Sequence, residues 1–274
     1  MDILVSADME GATGVTWSLD VEPREAEWHR FRELFTADVN AVALGLFDGG
    51  VDGVLINEAH ASMRNILLEK LDDRVRLLTG RHKPLGMMQG IDGVDGVAFV
   101  GYHAGAGERG VLAHTYLANS ITGVWLDGSA ASEGRLNAAL ATEFGVPVIL
   151  VTGDDRTCAD AAGYAPAART VAVKSYVSRY AAICLPPART FAMQRAEAAA
   201  AAGRAGRTTG TLTPHRIEIE FDATHLADAA ATVPTVELLS QRRVGYDSAS
   251  MHRAMTTLRV VSSIVGSARE GAYG

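Results

Sequence analysis

Two carboxylates one residue apart, Asp8 and Glu10, follow directly on a short apolar run in DILVSADMEGATG (residues 2–14). At the end of a strand such a pair repels itself unless a cation sits between the two acids, and a divalent metal with its demand for oxygen ligands serves well. The pattern recurs. GVLINEAH ends in Glu58 and His60, and VAFVGYH ends in His103, with AGAGERG behind it and His114 beyond. Glu133 opens a helix-like stretch, SEGRLNA. The spacing matches no single-helix metal motif, so a site built from these residues has to be assembled by the fold. Each residue also has a plainer reading: the acid pair as a helix cap, the histidines as hydrogen-bonded loop residues, Glu58 as a solvent-facing or supporting acid, and Glu133 as a first-turn acid favoured by the helix dipole.

The elements that position these residues alternate. Short apolar runs at Ile3–Ala7, Gly53–Asn57, Val75–Thr79, Val97–Tyr102, Gly123–Leu126 and Val146–Thr152 read as strands, several apolar throughout as in parallel sheets covered on both faces. Residues 23–49 carry Phe31, Leu34, Phe35, Val39, Val42 and Leu46 at helical spacing before Gly49 and Gly50, and residues 132–144 end likewise at Gly145. This is an α/β pattern, a mainly parallel sheet flanked by helices. After about residue 164 the character changes. A short strand at Thr170–Lys174 precedes an alanine-rich helix over 188–207, whose tail AEAAAAAGRAGR reads as a solvated end. An alternating, antiparallel strand spans His215–Phe221, and a last helix covers 248–265 with Met251, Met255, Leu258 and Val261 on one stripe. The reading is an α/β metal-binding domain over residues 1–165 and a smaller α+β domain over 166–274.

Composition narrows the function. With 274 residues, 48% of them hydrophobic, the chain can bury a large core; the formal charge of −7 and the lack of a basic, aromatic-interleaved cluster speak against nucleic acid. No signal-like or bilayer-length apolar segment is present, and Cys158 and Cys184 have neither zinc-motif nor disulfide-framework spacing. A cytoplasmic protein without membrane partners is expected.

The segments SADMEGATG, INEAH, GYHAGAG, AHT, SEGRLNA, VTGDD and the Lys174, Ser178, Arg179, Cys184 stretch resemble the dinuclear zinc D-aminopeptidases encoded in bacterial dipeptide-transport operons. The resemblance implies two zinc ions per subunit on Asp8, Glu10, His60, His103 and Glu133, with Asp8 bridging. His114 stands near the metals as acid/base or oxyanion stabiliser. It implies attack by a zinc-bridging hydroxide on short peptides with an N-terminal D-residue, such as D-Ala-D-Ala, inside a homo-oligomeric ring, a decamer. The two imidazoles favour zinc over magnesium. Other readings keep the same residues: a dizinc amidohydrolase on another amide, a metal-stabilised binding protein without turnover, or a phosphoesterase, for which the motifs carry few basic residues. Glu108 and Arg109 in AGAGERG, and Glu58 in INEAH where a smaller acid is expected, depart from the family pattern and are expected to reshape the pocket without disturbing the metals. The stripe on the last helix reads equally as an interface or as its own subunit's core.

Overall fold

The computed structural model describes residues 1–270. Six parallel strands, β1 (Asp2–Ala7), β2 (Gly53–Glu58), β3 (Arg76–Leu78), β4 (Gly96–Val100), β7 (Val148–Asp154) and β8 (Arg169–Ser178), lie in the order β3-β2-β1-β4-β7-β8, and β9 (Ala181–Cys184) adds an antiparallel edge. A second, antiparallel sheet has the order β11 (Glu237–Leu238), β12 (Arg243–Ser248), β10 (His215–Phe221), β5 (Ile121–Leu126), β6 (Ser129–Ala130). The helices are α1 (Ser18–Val21), α2 (Ala26–Asp48), α3 (Glu133–Glu143), α4 (Asp155–Tyr164), α5 (Pro187–Ala202), α6 (Thr224–Ala230) and α7 (Met251–Ala268). No helix among the described residues is long and apolar enough to cross a membrane.

The α/β expectation holds, but the two sheets do not part at residue 165. The run at 123–126, expected in the parallel sheet, is β5 and pairs antiparallel with β10, while β8 and β9, expected in the smaller domain, extend the parallel sheet. Apolar alternation marks a strand without saying which sheet it joins, and the interleaving binds both halves into one body.

Side-chain alternation on β1 divides the core. Ile3, Val5 and Ala7 pack toward α2 and α5, whereas Leu4 faces the cluster that holds Leu136 of α3, Ile217 and Ile219 of β10, and Leu258 of α7. On α2, Phe31, Phe35, Val39, Val42 and Leu46 are buried. At about 1.5–3 kcal/mol each, this burial outweighs propensity differences of a few tenths per residue, so packing holds that helix in place. The alanine-rich α5 is not a solvated end: Ala198, Ala201 and Ala202 are fully buried. They lie against α2, where a Cβ on Gly45 would come within 2.1 Å of Arg195 O. Small side chains here serve close helix contact. The α7 stripe of Met251, Met255, Leu258 and Val261 is buried in its own chain, which answers the interface question for that face.

Register sets the level of the site. Ala7 pairs with Glu58 on one side and Val100 on the other, so β1, β2 and β4 end flush. The chain leaves β1 toward β2 on one side and reaches β4 on the other, and that reversal point is where open α/β sheets bind ligands.

Candidate metal centre

The turn after β1 and the turn after β4 touch backbone to backbone. Asp8 N–H donates to Val100 O at 2.8 Å and Gly11 N–H to Gly101 O at 2.8 Å. A Cβ on Gly11 would stand 1.9 Å from Tyr102 O, and one on Gly101, whose φ is +69°, would stand 2.1 Å from Asp8 O. Only glycine fits either place. The approach brings Asp8 and Glu10 beside His103. His60 arrives from the end of β2, Glu133 from the first turn of α3 behind the Ser132 cap, and His114 from the loop after β4.

All six residues named from sequence therefore meet, in three overlapping groups whose ligand atoms lie within 4.8 Å of one another: Asp8, Glu10 and His60; Asp8, His103 and Glu133; Glu10, His103 and His114. Asp8, Glu10, His60, His103 and Glu133 are buried. Glu58 is buried too, but it belongs to none of the groups; it accepts from the backbone N–H of Asn65 and braces the loop after β2.

The hydrogen bonds test whether this donor set fits a metal. A carbonyl only accepts, so His60 Nε2 donates to Val21 O (2.8 Å), His103 Nδ1 to Ala104 O (3.0 Å) and His114 Nδ1 to Leu112 O (2.9 Å). The other nitrogen of each ring then points at carboxylate oxygen. His60 Nδ1 lies 2.9 Å from Glu10 Oε2 and 3.5 Å from Asp8 Oδ1. His103 Nε2 lies 3.2 Å from Asp8 Oδ2 and 3.7 Å from Glu133 Oε1, and His114 Nε2 lies 3.7 Å from Glu10 Oε1. Two lone pairs facing each other need a proton or a metal between them.

Protons alone do not serve all three rings. Burial opposes charge on His60 and His103, but the carboxylates overcome it: Glu10 above all lifts His60 well above the ordinary imidazole range, and Asp8 and Glu133 bring His103 to about 10. His114 stacks on His103 at 4.2 Å between ring centres, and burial with that neighbouring charge drives it down to about 4. It stays neutral, its Nε2 lone pair aimed at Glu10. Burial likewise raises Glu133 to about 7, although the His103 charge works the other way. Asp8 Oδ2 is buried without a hydrogen bond. Buried carboxylates with backbone-tethered imidazoles suit zinc, each tether fixing the tautomer that leaves a lone pair free.

The groups face a cavity of about 820 Å³, walled opposite by α7 and the segment from Arg81 to Met87. Glu108 and Arg109 are exposed and do not line it, contrary to expectation: the glycine-rich loop carries them to the outer surface. Asp154 caps α4 by accepting from Thr157 N–H (2.7 Å) and also accepts from Val111 N–H (2.7 Å), which anchors the loop carrying His114. Asn137 donates to Tyr102 Oη, which donates onward to Ser6 Oγ, beneath the cavity.

Two contributors were missed. Lys174 is 1% exposed, and its Nζ donates to the carbonyls of Glu10 (2.7 Å), Ala12 (2.9 Å) and Val15 (2.6 Å), clamping the Asp8–Glu10 turn. Its signal was a lone lysine closing the apolar run VAVK. Tyr116, at φ +59°, gives its backbone N–H to Glu133 Oε1 at 2.7 Å, and nothing in its sequence context announces that role.

The chain is similar to known D-aminopeptidases. A family model described as D-aminopeptidase matches residues 1–260. A D-aminopeptidase of Bacillus subtilis (strain 168) is 32% identical over 241 residues, covering 87% of this chain and 88% of that protein. The solved structure of the zinc-dependent D-aminopeptidase DppA from Bacillus subtilis, described as a self-compartmentalizing protease, superposes with a TM-score of 0.93 at 29% identity over 99% of both chains.

Proposed function

This chain belongs to the D-aminopeptidase family, and we propose on that premise that it is a zinc aminopeptidase cleaving short peptides with an N-terminal D-residue, such as D-Ala-D-Ala. Asp8, Glu10, His60, His103 and Glu133 would hold two zinc ions per subunit; Asp8, Glu10 and His103 each belong to two of the three donor groups, and the family resemblance assigns the shared position to Asp8. The observation that carries the reading is the set of three imidazoles, each tethered through one nitrogen to a backbone carbonyl and facing a buried carboxylate with the other. When bound, such an ion pair supplies an activated water at near-neutral pH and Lewis-acid polarisation of the peptide carbonyl.

The chain's own residues do the rest. The carbonyls of Val21 and Ala104 hold the His60 and His103 rings in orientation. Lys174 fixes the turn that presents Asp8 and Glu10. Neutral His114 would take at Nε2 the proton that the attacking water gives up and pass it to the departing amine, its Nδ1–H held by Leu112 O throughout. The wall formed by α7 and residues 81–87 limits bulk water at the scissile bond. Because the DppA relative is self-compartmentalizing, the same reading gives a cytoplasmic homo-oligomer, a closed ring of ten subunits, that admits only small peptides.

Metal content by mass spectrometry on protein purified without chelator, paired with hydrolysis of D-Ala-D-Ala and L-Ala-L-Ala, tests the proposal. Two zinc ions per chain and turnover confined to the D-peptide are expected; equal turnover of the L-peptide refutes the stereochemical assignment. His114→Ala is expected to keep its zinc and lose turnover by about 10²–10⁴-fold.

A further inference from the structure

The cavity carries more positive charge than the metal-type site uses. Arg81, Lys83, Arg179, Arg259 and Arg269 all line it. Lys83 is spent on the carbonyl of Glu58 and the side chain of Asn57, and Arg259 on the carbonyl of Pro84. Arg81 is exposed, and Arg269 lies past the end of α7.

Arg179 is different. It is half-buried, its Nε is fully buried without a hydrogen-bond partner, and the inner carboxylates Glu10 and Glu133 are engaged by imidazoles instead. Its one aromatic neighbour, Tyr180, has its ring centre 5.6 Å from the guanidinium carbon. The guanidinium is half-buried at the cavity and enters no ion pair among the described residues, and such a fork suits an anionic group with two oxygens.

Its place in the backbone matters as much. Arg179 O accepts from Leu112 N–H at 2.8 Å, and Leu112 O accepts from His114 Nδ1–H at 2.9 Å. The guanidinium and the imidazole thus hang on adjoining links of one relay and line the same cavity. An extended dipeptide spans about 7 Å, short enough for a peptide whose amino end meets the metal-type donors to place its carboxylate inside the cavity that Arg179 lines.

We propose that Arg179 binds the free C-terminal carboxylate of a dipeptide substrate and so sets a preference for dipeptides over their C-terminal amides. The inference deepens the aminopeptidase reading and rests on it. The test is steady-state kinetics of the zinc-loaded full chain on a matched pair, D-Ala-D-Ala and D-Ala-D-Ala amide, for the wild type, Arg179→Met and Arg179→Lys. The wild type is expected to favour the acid. Arg179→Met should raise KM for the acid by about 10–100-fold, the range for a hydrogen bond to a charged group. The loss should fall on the acid at least ten times more heavily than on the amide. Lysine should recover part of it, supplying the charge without the fork. A wild type indifferent to the amide, or an Arg179→Met variant that loses acid and amide equally, overturns the assignment while the aminopeptidase reading stands. If the wild type cleaves neither compound, that reading falls and this one with it.

Discussion

Replacing Lys174 with methionine keeps the aliphatic stem and removes the ammonium that clamps the Asp8–Glu10 turn. Three carbonyls lose a charged donor, but Ala12 O still accepts from Val15 N–H at 3.3 Å, so two acceptors, on Glu10 and Val15, are left bare. Each costs about 1–3 kcal/mol, about 2–6 together. The wild type carries an opposing cost. Burial, only partly offset by Asp154 and other nearby acids, lowers the lysine from 10.5 to about 8, which corresponds to about 3 kcal/mol spent on keeping the ammonium dry. The two nearly cancel, so global stability is expected to fall by no more than about 3 kcal/mol, about 10 °C in Tm. Zinc affinity is expected to fall by about 10–100-fold, as when a residue supporting a ligand is lost. Thermal unfolding followed by circular dichroism and zinc competition with a chromophoric chelator separate the two effects. A variant that melts far below this range, or one that binds zinc as tightly as the wild type, would refute the clamp.

Asp8→Asn should lower zinc content by more than half by mass spectrometry, because two of the three donor groups share that carboxylate. Chelator dialysis should lower the Tm; zinc should restore it, whereas magnesium, which rarely accepts imidazole, should not. Gly11→Ala forces a Cβ to 1.9 Å from Tyr102 O, and the turns carrying Asp8 and His103 must separate; soluble variant with less than half the wild-type zinc is the expected result, read by the same metal analysis. In native protein at pH 8, iodoacetamide should label Cys184, which is exposed, and spare Cys158, whose thiol burial and the adjacent Asp154 and Asp155 charges push up to about 12; peptide mapping reads the outcome.

Asp8, Glu10, His60 and His103 were legible because each stands just past an apolar strand, and strand register turns that position into spatial convergence; Glu133, at a helix start, and His114, in a loop, were placed by the family resemblance. The helices over 26–48 and 133–143 followed from apolar periodicity and glycine stops. What escaped was relational. Alternation in Gly123–Leu126 marked a strand, but its partner β10 lies nearly a hundred residues away. Alanine content on α5 suggested solvent, because a sequence does not show the facing Gly45 that makes small side chains useful. Lys174 acts on backbone carbonyls of a distant turn and Tyr116 through its own backbone N–H, and a backbone group has no letter of its own.

The two faces of the cavity are built on different terms. The donors ride on turns locked main chain to main chain by Gly11 and Gly101. Part of the remaining wall is a row of α7 side chains outside the core, the exposed Thr256 and Ser263 and the half-buried Ser262 among them. Reshaping that row alters what fits without disturbing what reacts, so a library aimed at new amide substrates belongs on α7, and one aimed at the turns would mostly return inactive protein.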